Sequence, residues 1–306
     1  MKSRFPLRFS SSPVALKLGC FLMFFLLSVI AGADLLAPYD PLLQNPSIRL
    51  QAPTSSHLLG TDQFGRDLLS RLIYGGRTTL GASFLALFTA LLLGVSAGLL
   101  SGYCGGIVDA VLTRILDVLM AFPFMVFAII VTALFGTGFI HLLFAIVSVW
   151  WVPFARLARS IALHCKEEPD ILAALVLGAP NSIVIFRELF PRALPSALVL
   201  GTFELGSLIL SVSALSFFGL GSKPPSPEWG AMLADSKAYF FHAPHLVLGP
   251  TLFIFLAVFS LNLIGEGLST NVKDFGISGE IHADGLACAS PSFYCTSENA
   301  AVLSES

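Results

Sequence analysis

The residues best placed to do chemistry lie in CKEEPDILAALVLGAPNSIVIFRELFPRALP, residues 165–195. Glu167, Glu168 and Asp170 precede an Ala173–Ala174 pair; Gly178 follows, and Pro191 and Pro195 close the stretch. No nucleophile and base stand beside them, and serines, histidines and acids elsewhere are scattered over separate segments. The chemistry open to such a stretch is recognition. Pro169 suits the start of a short helix over 170–177, and Gly178 suits the left-handed residue that ends one. Ala173 and Ala174 would give that helix a small-residue surface that a partner's groove can approach closely. A second short helix is expected over 183–190, broken by Pro191 and Pro195. Shape alone leaves two readings open, a docking helix–turn–helix or a solvated connection.

A second candidate is Glu204, nine residues beyond Pro195 and so about 13 Å along a helix. It is the lone charge in an apolar run, where an acid is costly and faces a cavity or a partner. It would contact a cationic group of a solute or hydrogen-bond a neighbouring helix. His242 and His245 raise a soft metal, but Ala243-Pro244 between them disfavours a regular helix. Cys288 and Cys295, seven apart near the end of the chain, have no partner pair. No metal site is expected, and no cofactor.

The elements that must position these groups are membrane helices. The chain has 306 residues, 55% hydrophobic and 12% charged, against about 25% charged in soluble domains. A membrane helix needs about 20 apolar residues. Six runs meet that need: 18–37, 79–102, 118–135, 139–155, 193–220 and 246–265. The expected fold class is therefore all-α and polytopic. With the N-terminus inside, eleven Lys and Arg residues fall on cytoplasmic segments and six outside, which favours N-in and C-in. The basic flank of the first run and Ala31-Gly-Ala33 offer a cleaved signal peptide as the alternative. A net charge of −2 and the lack of a basic stripe give no sign of nucleic-acid binding.

Residues 1–17 then form a cytoplasmic N-terminal segment, 38–78 an outer loop, and 79–268 a five-helix core. That core includes a cytoplasmic loop over 156–192 and an outer loop over 221–245. Residues 269–306 form a cytoplasmic tail, disordered from about 276, polar and without periodicity. In GTDQFGRDLLSRLIYGGRTTL, residues 60–80, Leu68, Leu69, Leu72 and Ile73 stand opposite Arg66, Asp67, Ser70 and Arg71. This predicts an amphipathic helix at the membrane surface, or a loop helix capped by Asp67.

The 165–195 stretch resembles the EAA loop of ABC importer permeases, with Ala173, Ala174, Gly178 and Pro191 at the matching places and Leu172 where the glutamate would stand. Residues 16–273 resemble the dipeptide/oligopeptide/nickel permeases, in particular the second permease of a pair. The resemblance is carried by GTDQFGRDLLSRLIYGGRTTL, GYCGGIVDAVLTRILDVLMAFP, LSFFGLGSKPPSPEWGAML and LNLIGEGL. It implies a type I importer architecture and half of a pore for peptides or nickel complexes. The implied partners are a second permease, two cytoplasmic ATPases, an extracytoplasmic solute-binding protein and inner-membrane lipid. It further implies ATPase coupling through Glu168, Asp170, Ala173, Ala174, Gly178 and Pro191. The chain has no GxxxxGK[ST] sequence and is expected not to hydrolyse ATP itself. A gated channel or scaffold without an energy source is the competing function.

Overall fold

A computed structural model describes residues 14–136, 138–221 and 225–274, with side chains described as far as residue 269. Among them the secondary structure is helical, apart from an isolated antiparallel bridge between Thr61 and Asp67. Helices suit this chain because each satisfies its own backbone hydrogen bonds where no water can. The principal helices are α1 (Val14–Ala31), α2 (Leu68–Cys104), α3 (Gly106–Ala121), α4 (Phe124–Phe135), α5 (Phe139–Trp150), α6 (Val152–Cys165) and α7 (Pro169–Val176). They are followed by α8 (Asn181–Phe217), α9 (Trp229–Ser236) and α10 (His245–Asp274). Five are long and apolar enough to cross a membrane: α1, α2, α5 with α6, α8 and α10. The pair α3–α4 passes the same test only when taken together, across a bend of 91°.

Several expected boundaries move. The first span is helical from the first described residue, Val14, and ends at Ala31, ahead of Gly32 and the short helix Ala33–Leu36. The run 118–135 is not one helix: α3 ends at Ala121, and Phe122 and Pro123 are extended before α4. Residues 183–190 do not form a separate helix broken by Pro191 and Pro195. They belong to α8, which passes through both prolines after a π-helical turn at Val184–Leu189. The widened turn closes just before Pro191, where an ordinary α-turn would press the ring on the carbonyl four residues back. Residues 269–274, expected in the tail, continue α10. The disordered tail proposed from 276, with Cys288 and Cys295, lies outside the described residues.

The 60–80 stretch also corrects an expectation. Its polar face is not exposed. Asp67 caps α2 by accepting from the Ser70 amide at 2.8 Å, which is the loop-helix alternative, but Arg66, Asp67, Ser70 and Arg71 are all buried. Asp62 accepts from Arg66 Nε at 2.6 Å and lies 3.4 Å from Arg71 Nε. Arg71 donates to the Pro41 carbonyl at 3.1 Å, and His57 Nδ1 meets Asp67 at 2.9 Å. These pairs close the outer loop over the bundle. Buried charges are tolerated there because each is matched. Trp229 of α9 completes the cover, fully buried, its indole donating to the Leu72 carbonyl at 2.9 Å beside Gly75 and Gly76.

Helices α2 and α6 meet along Gly94, Gly98 and Gly102. A Cβ on Gly98 would come within 2.2 Å of the Ala155 carbonyl, so only hydrogen fits. Small residues four apart allow backbones to approach where no hydrophobic effect drives association. The N-terminal helix is bound in the same manner: Gly19 lies against Ser260 and Leu263 of α10, and Gly267 against Leu16. So α1 packs as a member of the bundle.

Candidate coupling loop and membrane path

The loop that leaves α6 is fastened to α8 at two places. Ile171 is fully buried in a cluster with Val184, Ile185 and Leu189 at the base of α8, and it pins α7 by one side chain. Arg192, farther along α8, reaches back to both Glu168 and Asp170. Burial pushes the Asp170 carboxyl up, but the Arg192 guanidinium prevails and holds it below its ordinary value. Both acids proposed as ATPase contacts are thus engaged within the chain.

Gly178 takes φ +82°. Its amide donates to the Leu175 carbonyl and that of Ala179 to the Ala174 carbonyl, both at 3.0 Å. This double closure is the Schellman ending, in which glycine relieves the Cβ clash of the left-handed region. The reading of Gly178 from its position therefore agrees with the geometry. Ala173 is exposed and Ala174 half-buried. The most prominent surface is larger than the alanines suggested: Val176 is 87% exposed, Leu177 86% and Phe186 72%. Sequence reasoning passed over these three, although apolar residues in a turn beside a Gly stop were a usable sign. Pro191 is half-buried inside α8, at the foot of the span. The loop also meets the inner end of α2: Tyr103 Oη donates to Asn181 Oδ1 at 2.8 Å, and both line an open groove with Cys104, Lys166, Glu167, Leu172 and Leu175.

Glu204 sits half-buried on the same helix α8. Trp150 Nε1 donates to its Oε2 at 2.8 Å, the hydrogen bond to a neighbouring helix that was one of its two readings. Phe124, the first residue of α4, meets the Trp150 ring edge-on at 4.8 Å. At the outer side, His242 is exposed, while the His245 ring packs against the backbone near Gly60. Among the described residues no group of three or more His, Cys, Asp or Glu side chains could hold a metal ion.

Residues 90–273 match the family described as "Binding-protein-dependent transport system inner membrane component". The chain is 41% identical over 249 residues to the dipeptide transport system permease protein DppC of Alkalihalophilus pseudofirmus, covering 79% of this chain and 82% of that protein. It is 38% identical to the glutathione transport system permease protein GsiD of Pectobacterium atrosepticum, over 85% of this chain and 87% of the relative. The nickel transport system permease protein NikC of Escherichia coli K12 is 32% identical over 90% of this chain and 99% of its own length. In fold, the chain is similar to a chain of the inward-facing MetNI methionine ABC transporter, with a TM-score of 0.52 at 20% identity, over 68% of this chain and 97% of that one.

Proposed function

Since the chain belongs to the binding-protein-dependent transport system inner membrane components, we propose that it forms half of an importer pore and is driven through residues 165–195 by a cytoplasmic ATPase. It is a multi-pass transport permease of the inner membrane, and not an enzyme. The proposed partners are a second permease, two ATPase subunits and an extracytoplasmic solute-binding protein. The names of its relatives suggest small peptides or nickel complexes as solutes.

The observation that carries this reading is the anchoring of α7. Its exposed edge offers Val176 and Leu177 to a groove, while Ile171 and the Arg192 pairs tie it to α8. A push on α7 is thereby delivered to the helix that bears Glu204, and through Tyr103 and Asn181 to the end of α2. Burying Val176 and Leu177 in a partner would contribute about 1.5–3 kcal/mol each. Ala173, Ala174 and Gly178 set the shape of the contact, Glu168 and Asp170 set its position through Arg192, and Pro191 sets the turn at the foot of α8.

The test is co-purification through a tag on this chain, followed by ATP hydrolysis in reconstituted vesicles. Leu177→Asp is expected to insert normally and lose both the ATPase subunits and solute-stimulated hydrolysis. Retention of both would refute the docking role.

A further inference from the structure

We infer that the helix break at residues 121–123 opens onto the solute pathway, and that it forms with Glu204 a water-exposed patch favouring cations. The inference rests on the permease reading and deepens it.

The break lies inside the membrane. The inner end of α2 and the loop after α6 are at one side, joined by Tyr103 and Asn181. Since α5 starts at the opposite end, α3 and α4 together must carry the chain across. The 12 residues of α4 rise only about 18 Å of a hydrocarbon core about 30 Å thick. Phe122 and Pro123 therefore fall between the two surfaces.

A helix end leaves its last carbonyls without partners in its own helix, and Pro123 has no N–H to offer them. Facing hydrocarbon, each such group would cost several kcal/mol. Yet Ala121, Phe122 and Pro123 are exposed, Phe122 at 58%. Irregular backbone at this depth is tolerated where protein buries it or water bathes it.

Two neighbours favour water. Asp117, five residues before Phe122, pairs with Arg156 at 2.9 Å, and both side chains are about half exposed. A half-exposed ion pair does not face lipid. On the other side, Phe124 leads through Trp150 to the Glu204 carboxylate. With Arg156 matched by Asp117, the break presents the last carbonyls of α3 as acceptors and the first amides of α4 as donors, and the Glu204 carboxylate adds the net charge that favours cations. Solute groups such as protonated amines suit that charge.

The test uses the full-length chain in its native membranes, with its five cysteines replaced by alanine. Phe122→Cys, Ala121→Cys and a control, Phe88→Cys on unbroken α2, are each treated with cationic trimethylammonium-ethyl and anionic sulfonato-ethyl methanethiosulfonates. Rates are normalised to reaction with a free thiol in solution. The variants at 121 and 122 are expected to react at least tenfold faster than the control. The cationic reagent should be favoured by about tenfold, as one negative charge at roughly 10 Å predicts at intermediate dielectric. Adding E204Q should abolish that preference while reaction continues. Rates at both positions as low as the control would overturn the aqueous break, and a preference absent or unchanged by E204Q would overturn the role of Glu204. Both readouts are independent of ATPase binding, so a reactive break in a chain that captures no ATPase would refute the coupling reading alone.

Discussion

Arg192, at the foot of the span that carries Glu204, holds Glu168 and Asp170 of the projecting loop at the same time. One side chain thus sets the angle between the exposed helix and the membrane helix it is proposed to move. Arg192→Gln removes both ion pairs and leaves Ile171 as the anchor. Insertion should be normal, while uptake per ATP hydrolysed should fall several-fold because hydrolysis no longer moves α8. Measuring both rates in vesicles decides this; an unchanged ratio would show that Ile171 alone transmits the motion.

The same pair fixes a dependence on acid. The Asp170 carboxyl is held below its ordinary value of 3.8, so it favours the folded loop above that value and ceases to do so as pH falls through the lowered one. Protease clipping of the loop is therefore expected to be flat from about pH 8 to 5 and to rise only in stronger acid. Arg192→Gln should be clipped readily over the whole range. A rise near neutral pH in the native chain would assign the loop's order to another group.

Gly178 is open on all sides, with nothing within 4 Å of where a Cβ would stand. Its requirement for glycine is therefore one of backbone conformation. Gly178→Ala should cost about 1–2 kcal/mol of loop order, and Gly178→Val more, with ATPase stimulation lost while insertion persists. Failure of insertion in both would make the loop a folding element.

Gly98 presents the opposite case, since its hydrogen faces the Ala155 carbonyl. Gly98→Leu should part α2 from α6, with a loss of about 1–3 kcal/mol for overpacking read as a lower melting point in detergent. Gly81, where an added Cβ would meet nothing within 4 Å, should accept alanine without effect. Equal melting points for Gly98→Leu and the native chain would show that the seam is looser than described.

What could be read from the sequence divides along physical lines. Long apolar runs are forced by the hydrocarbon and were visible, as was Gly178, whose place after α7 calls for a left-handed residue. The bend at Phe122–Pro123 was hidden because residues on both sides are equally apolar, and a proline in a membrane helix bends it or not according to its neighbours. Pro191 and Pro195 show the other outcome within the same chain. The burial of Arg71 was hidden too, since the Pro41 and Pro225 carbonyls reach it only through tertiary structure, whereas Asp62 and Arg66 stand only four residues apart. The Gly94–Gly98–Gly102 seam was in plain view at a spacing of four and was passed over.

The coupling role of residues 165–195 is tested most directly by a photo-reactive benzoylphenylalanine placed at Leu177, 86% exposed beyond the end of α7. Irradiated in native membranes, it should cross-link to a cytoplasmic ATPase subunit, and the yield should fall in Gly178→Val. Cross-links only to lipid or to this chain itself, with the ATPase present and active in the same membranes, would contradict the account.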